Sequence, residues 1–129
     1  MRRIAADAVI VQKGSILLVR RKNAPFKGRL ALPGGMLAEG EALEQCVVRE
    51  VREETGLIVK PIRLVGVYSS PKRDPRGTVS AAFKCRVTGG RLAAGSDASS
   101  AQWVPLCRLP ALAFDHTKIV RDSLKRGKQ

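Results

Sequence analysis

Several residue types are scarce in this sequence of 129 residues, and each shortage narrows its possible functions. One Trp, one Tyr and three Phe are too few for a surface that stacks successive bases, which disfavours a dedicated single-strand nucleic-acid binder. The cysteines show no CxxC or Cys/His ligand spacing, which predicts free thiols in a reducing compartment. No apolar run approaches the roughly 20 residues that span a bilayer, and Asp7 interrupts the N-terminal apolar run. We therefore expect a cytoplasmic protein with neither a membrane span nor a signal peptide.

Acidic residues are also scarce, with 11 Asp and Glu against 24 Lys and Arg and a net charge of +13. This imbalance favours an anionic partner, such as a nucleotide, a nucleic acid or a phosphorylated metabolite. A basic surface that only keeps the protein soluble is the alternative. The length and the hydrophobic content of 44% predict one folded domain spanning residues 1–129.

The order of predicted elements indicates the fold class. Gly and Pro residues mark two polar loops at 22–35 and 70–78. Residues 41–55 contain neither Gly nor Pro, which predicts a helix that ends at Gly56. A second helix is predicted at 112–128, and β-rich runs lie at 4–11, 15–21, 57–70 (interrupted at Pro61), 79–87 and 101–106. Strands that flank and alternate with two helices predict an α/β domain with a mixed central sheet.

The first predicted helix concentrates acid on one face. At 100° per residue, Glu53 lies about −60° and Glu54 about +40° from Glu50. The same face is apolar in the first two turns, at Leu43, Cys46 and Val47. A solvated acidic face would normally lie opposite the apolar stripe. These carboxylates are therefore expected to point towards the protein body or a cleft beside it.

Two explanations account for this acidic face. Like charges three and four residues apart destabilise a helix by roughly 0.2–0.5 kcal/mol per pair, and a hard cation such as Mg²⁺, which prefers carboxylate oxygens, would remove that penalty. Alternatively, Arg49 and Arg52 neutralise the glutamates in a salt-bridged helix.

The spacing around this helix resembles a known family. Gly35 is followed by five residues, then by Glu41, seven more residues and the run 49–57 (REVREETGL). This spacing is similar to the Nudix box, GX5EX7REUXEEXGU with U a bulky aliphatic, without a mismatch. At roughly 7% usage per fixed residue, a chance match is on the order of one in a hundred million per start position. The chain is thus identified as a member of the Nudix family.

The resemblance implies a fold, a metal and roles for the box residues. The expected fold is an α/β/α sandwich with a mixed central sheet. A carbonyl at Gly35 and the carboxylates of Glu50, Glu53 and Glu54 would bind Mg²⁺, or alternatively Mn²⁺. The residues with structural roles in the box would be Glu41 and Arg49, which commonly pair in the family, and Gly56.

The resemblance also implies the reaction, which is hydrolysis of a nucleoside diphosphate linked to another moiety by metal-activated water. The catalytic residues are then expected among Glu50, Glu53 and Glu54. Some family members take a general base from outside the box, and Asp97 is the leading candidate here, with a simple turn role as its alternative.

Three further stretches resemble small prokaryotic ADP-ribose pyrophosphatases, namely 20–35, 70–83 (with Arg-Asp-Pro-Arg-Gly at 73–77) and 109–122. Guanidinium groups suit bidentate contacts with phosphate, so we expect substrate contacts from Arg20, Arg21, Arg73 and Arg76. Loop solvation or an Arg73–Asp74 ion pair is the alternative. Thr78 stands where the family often has His, and His116 is expected to cap or pack a helix.

The most favoured activity is cleavage of ADP-ribose to AMP and ribose 5-phosphate. The enzymes that this sequence resembles are often homodimers, so a homodimer is expected. A MutT-type nucleoside triphosphate pyrophosphatase is the main alternative. A nucleotide sensor without turnover is less favoured because such domains typically lose box glutamates, all of which are present here. RNA binding or decapping is permitted by the charge but is not favoured.

Overall fold

A computed structural model of the protein describes residues 1–93 and 101–125. In these ranges the chain forms seven strands and two α-helices. They are β1 (Ile4–Gln12), β2 (Ser15–Arg20), β3 (Leu30–Ala31), β4 (Gly34–Met36), α1 (Leu43–Thr55), β5 (Leu57–Tyr68), β6 (Val79–Gly90), β7 (Ala101–Pro105) and α2 (His116–Leu124). A short 3₁₀ helix follows β7 at Leu106–Arg108. Neither α-helix of the described ranges is long and apolar enough to cross a bilayer.

The strands form one mixed sheet in the order β3-β2-β1-β6-β5, with β4 paired to β1 and β7 paired to β2. The β1–β6 pair is parallel and the other pairs are antiparallel. Residues 32–35 (LPGG), called the glycine turn below, lead into β4. Because β4 pairs with the first half of β1, with Gly34 opposite Asp7, this turn lies against the sheet beside Asp7.

Each face of the sheet is covered by one helix. On one face, α1 packs Cys46, Val47 and Val51 against Ala6, Ala8 and Ile10 of β1 and against Phe83 of β6. On the other, Ile119 and Val120 of α2 pack against Val9, Ile16 and Leu18. The alternation of side chains along β1 therefore supplies both cores. This is the α/β/α sandwich that the sequence predicts.

Helix α1 ends where the sequence predicts. Gly56 has a left-handed backbone (φ 83°), and its N–H donates to the Arg52 carbonyl. That conformation favours glycine, which ends the helix cleanly. The helix begins two residues later than expected, at Leu43, with the Gln45 side chain accepting the Ala42 N–H at 2.7 Å.

Three predicted boundaries differ from the structure. The short strand β3 lies within the predicted loop 22–35, and β4 begins in it. Strand β5 continues through Pro61, with a shift of register between Pro61 and Arg63 instead of a break. Helix α2 begins at His116 and not at residue 112, because Phe114 has a left-handed backbone (φ 55°) that a helix cannot contain.

Candidate active site

The glycine turn brings the backbone against the acidic helix. A Cβ atom at Gly35 would lie 2.6 Å from Glu50 Oε2, closer than atoms can approach, so only glycine lets the Glu50 carboxylate pack on the turn. One residue earlier, the Gly34 N–H donates to Glu54 Oε1 at 3.0 Å. Two of the three box glutamates thus contact the turn, on which Gly35 was predicted to supply a carbonyl.

Arg49 links the remaining groups of the box. Its Nε and Nη2 bind the two oxygens of Glu41 at 2.6 and 3.0 Å, and Nη2 also donates to the Met36 carbonyl at 3.1 Å. Its Nη1 reaches Glu50 at 2.9 Å and Glu53 at 3.2 Å. The hydrogen bond from Arg49 holds the pKa of Glu41 down at about 2. The Glu41–Arg49 pair therefore fixes the loop to the helix, while Arg49 also neutralises part of the acidic face.

Glu54 is a partly buried carboxylate whose surroundings disfavour its charged form. Burial raises its pKa to about 8, repulsion from Glu50 and Asp7 acts in the same direction, and the Gly34 N–H opposes them. Glu50 is also mostly covered, with 16% of its side chain exposed, whereas Glu53 is 48% exposed. The acidic face therefore points inward at Glu50 and Glu54, as the helical wheel indicates, and borders solvent at Glu53.

The chemistry of this donor set fits a hard divalent cation. Carboxylate and carbonyl oxygens are the ligands that Mg²⁺ and Mn²⁺ prefer. Across residues 1–93 and 101–125, no three His, Cys, Asp or Glu side chains lie close enough together to hold a metal ion as they stand. Since Arg49 holds Glu50 and Glu53 and Gly34 holds Glu54, side-chain rotation is needed to gather them.

A cleft of about 330 Å³ opens beside Glu54 and the glycine turn. Cationic and acidic side chains both line it, the cations being Arg20, Arg21, Lys22, Arg73 and Arg76 and the acids Asp7, Glu54 and Asp74. Such a cleft combines groups for a metal ion with groups for the anionic substrate that the metal would contact. Of the three box glutamates, Glu54 lines this cleft, beside its cationic side chains.

The predicted substrate arginines occupy different environments. Arg20 lies at the exposed rim and donates to the Gly28 carbonyl at 2.7 Å. Arg21 donates to the Pro25 carbonyl at 2.7 Å, and its pKa is lowered by burial and by repulsion from Arg76. Arg76 binds both oxygens of Asp74, at 3.1 and 3.0 Å. Burial raises the pKa of Asp74, but its hydrogen bonds with Arg76 outweigh this and bring the pKa to about 2.

Arg73 borders the cleft but is almost fully enclosed by protein partners. Only 3% of its side chain is exposed, and its Nε and Nη2 bind Asp115 at 2.8–3.0 Å. Its Nη1 donates to the Thr78 carbonyl at 3.0 Å. The alternative expectation for Arg73 was an ion pair with Asp74. Its partner is instead Asp115, 42 positions away along the chain.

Phe114 was not singled out from the sequence, yet it lies at the centre of the arginine cluster. The guanidinium of Arg21 lies 4.9 Å from its ring centroid, and those of Arg76 and Arg73 lie at 5.7 and 5.9 Å. Phe26 contacts it edge to face at 4.8 Å. A bulky residue with positive φ is a signal of function or strain, but backbone conformation cannot be inferred from composition.

Asp7 and His116 are two further buried polar residues of the cleft. The Leu32 N–H donates to His116 Nδ1 at 3.0 Å, so His116 fixes the chain that leads into the glycine turn. Burial lowers the pKa of His116, which favours the neutral ring. Asp7 accepts a hydrogen bond from the Ser80 hydroxyl. The sequence signal that could have identified Asp7 as a site residue was a carboxylate in an otherwise apolar strand.

Asp97 lies outside the described residues, so its role stays a prediction.

A carboxylate-bearing helix, a glycine turn and an arginine-lined cleft on an α/β/α sandwich define a class of metal-binding domain that acts on phosphate compounds. The NUDIX domain family model matches residues 1–124. The chain therefore belongs to the Nudix family, and it is a Nudix hydrolase.

Curated relatives and solved structures agree with this assignment. An ADP-ribose pyrophosphatase of Methanocaldococcus jannaschii is 54% identical over 123 residues, which is 95% of this chain and 73% of that protein. A putative 8-oxo-dGTP diphosphatase of Bacillus subtilis is 34% identical over 94% of this chain and 78% of its own. The crystal structure of an ADP-ribose pyrophosphatase from Streptococcus suis superposes with a TM-score of 0.80 at 27% identity, covering 100% of this chain and 97% of that one.

Proposed function

We propose that the protein hydrolyses the pyrophosphate bond of ADP-ribose, or of a related nucleoside diphosphate derivative, to AMP and ribose 5-phosphate. The observation that carries the proposal is the single cleft in which Glu54 and the glycine turn face Arg21 and Arg76. The relative that is 54% identical and named as an ADP-ribose pyrophosphatase supports the choice of substrate.

Nudix hydrolases generally use divalent metal ions, and we propose Mg²⁺, with Mn²⁺ as a substitute. Glu50, Glu53 and Glu54 would hold it together with the Gly35 carbonyl. When bound, the metal supplies the positive charge that offsets the pyrophosphate and activates water. Arg49 would keep the helix and the loop in register through Glu41 while its contacts with Glu50 and Glu53 give way.

For substrate binding we propose Arg21 and Arg76 as the main contacts, with Arg20 at the rim. Arg21 supports this role because it is partly buried in the cleft, and no carboxylate lies within ion-pair distance of it in the described ranges. For Arg73 we propose a supporting role, in which its bonds with Asp115 and Thr78 hold the loop that carries Arg76.

Asp97 remains our proposal for the general base. Replacing Asp97 with Asn should lower kcat while leaving the affinity for Mn²⁺ unchanged. An unchanged kcat would move the base to one of the box glutamates.

A homodimer is also proposed, with its interface on the edge strand β5. Four large apolar side chains of that strand are 40–59% exposed, at Ile58, Ile62, Leu64 and Val67. Light scattering after size exclusion should give twice the monomer mass, and Val67→Lys should reduce it to the monomer; a monomeric wild type would refute the dimer. We further propose a cytoplasmic location, which the three free thiols support.

The deciding experiment is turnover on a substrate panel with and without Mg²⁺. The panel contains ADP-ribose, NADH, diadenosine polyphosphates, 8-oxo-dGTP, the canonical triphosphates and a capped RNA. Metal-dependent preference for ADP-ribose would support the proposal. Preference for triphosphates would favour the second candidate, which the 34% identical putative 8-oxo-dGTP diphosphatase supports. Binding of ADP-ribose without turnover would indicate a sensor.

A further inference from the structure

Asp7 is a buried carboxylate in the middle of β1. It is 7% exposed, it lines the cleft, and its neighbours along the strand are Ala6 and Ala8, which are fully buried. The Ser80 hydroxyl of the adjacent strand β6 donates to Asp7 Oδ2 and fixes the orientation of the carboxyl group. The other oxygen, Oδ1, lies against Gly34, where an added Cβ would collide with it.

No lysine or arginine of the described residues forms a direct ion pair with this carboxylate, although Arg21 lies within electrostatic range of it. Within residues 1–93 and 101–125, neither Lys nor Arg lies within 4.0 Å of it. His116 Nε2 lies 3.7 Å from Asp7 Oδ2, which is too far for a hydrogen bond, and burial lowers the pKa of that ring. Burying a carboxylate without a directly paired charge is unfavourable. A cation supplied from outside the chain would remove that penalty.

The same cleft holds a second carboxylate of this kind. Gly34 is the register partner of Asp7 in the β1–β4 pair, and its N–H donates to Glu54 Oε1. Asp7 and Glu54 therefore both contact the same glycine. Both carboxylates border the cleft.

We propose that Asp7 is an outer-sphere carboxylate of the metal site, accepting hydrogen bonds from the water that accompanies the ion instead of binding the ion directly. This inference rests on the proposed function, because it requires a divalent cation at Glu54 and the glycine turn. Mg²⁺ usually retains several waters in proteins, and groups that bind such waters orient the site. Ser80 and Gly34 hold the Asp7 carboxyl group back in the strand, which suits contact through water.

The alternative is a purely structural role, in which the Asp7–Ser80 bond ties β1 to β6. The two readings make opposite predictions for Asp7→Asn, which keeps an oxygen for the Ser80 hydroxyl but removes the charge. A structural role predicts that the metal-free variant unfolds more easily and binds metal as the wild type does. An outer-sphere role predicts that the metal-free variant is equally or more stable, because a buried charge without a direct ion pair is removed, and that it binds metal more weakly.

The experiment titrates the intact, metal-free protein with Mn²⁺. Binding is measured by calorimetry and by the electron paramagnetic resonance signal of the free ion. Asp7→Asn should weaken Mn²⁺ binding by about 10–100-fold, the usual effect of losing an outer-shell group. Glu44→Gln is the matched control, since it removes one exposed carboxylate from the same helix as the ligands, and it should bind as the wild type does. With ADP-ribose, raising the metal concentration should restore the kcat of Asp7→Asn.

Each outcome decides a separate point. Equal Mn²⁺ affinity in Asp7→Asn and the wild type, within about twofold, would overturn the outer-sphere role. A wild type that does not bind Mn²⁺ would overturn the proposed metal site itself. If Asp7→Asn does not fold, Ser80→Ala is measured instead, because it frees the carboxyl group while keeping the charge. A several-fold loss of affinity in that variant supports the proposal, and unchanged affinity overturns it.

Discussion

The loop that carries the second pair of arginines offers a sharp test, because Arg73 and Arg76 are three residues apart and differ in their surroundings. Arg73→Gln removes a guanidinium whose side chain is 3% exposed and leaves Asp115, 22% exposed, without its partner. Breaking a fully buried pair is unfavourable by about 3–5 kcal/mol, and the partial exposure of Asp115 reduces this to about 2–4 kcal/mol. The main expected effect of Arg73→Gln is therefore on stability.

The size of the effect can be expressed as a melting temperature. At about 2.1 cal/mol/K per residue, a chain of 129 residues unfolds with an entropy of about 0.27 kcal/mol/K. A loss of about 2–4 kcal/mol then lowers Tm by about 7–15 °C. Differential scanning calorimetry of the metal-free protein measures this directly, and urea unfolding at 25 °C provides an independent value.

Arg76→Gln is the matched comparison. Its own side chain is 34% exposed, but it leaves Asp74, 2% exposed, without its partner, so we expect a loss of stability here too, together with a KM for ADP-ribose raised by about tenfold or more. The reasoning is refuted if Arg73→Gln melts with the wild type and raises KM, since Arg73 would then contact substrate as the sequence predicts. Loss of stability in Arg76→Gln without a change of KM would refute the other half.

Three further predictions concern the turn and its neighbours. Glu54→Gln should lower kcat by about 10²–10³ with Tm unchanged, because the amide oxygen keeps the Gly34 hydrogen bond while a charged ligand is lost; turnover near wild type at saturating Mg²⁺ would contradict this. Gly35→Ala should lower Mn²⁺ affinity in calorimetry, because its methyl group would displace Glu50; equal affinity would show that Glu50 is not needed there. The pKa of His116 is lowered by burial, so the unfolded chain binds the extra proton: stability should fall as pH drops below about 6.5, and His116→Asn should flatten that slope in urea unfolding at pH 5–8.

Local patterns predicted the elements that carry the box, because their signals lie within a few residues of each other. A stretch without Gly or Pro, closed by Gly56, located α1 to within two residues at its start. The wheel also predicted the inward direction of Glu50 and Glu54. By contrast, β3 and β4 have two and three residues, too few to show an alternation, and the Pro and Gly around them indicate a loop.

The parts of the site that the sequence did not predict depend on contacts between distant segments. Asp115 meets Arg73 only because α2 packs beside the loop of residues 70–78. The start of α2 was set too early because Phe114 has a backbone that its side chain gives no reason to expect. Asp7 was noted only as an interruption of an apolar run, since its partners Ser80 and His116 lie 73 and 109 positions away.

The way Phe114 holds Arg21 has a consequence for charge in the cleft. When a carboxylate pairs with a guanidinium, as Asp74 does with Arg76, its negative charge cancels most of the positive field of the arginine. A ring face and a neutral carbonyl, which hold Arg21, contribute no formal negative charge. No direct ion pair cancels the charge of Arg21, so more of its positive potential than that of Arg76 reaches an arriving anion.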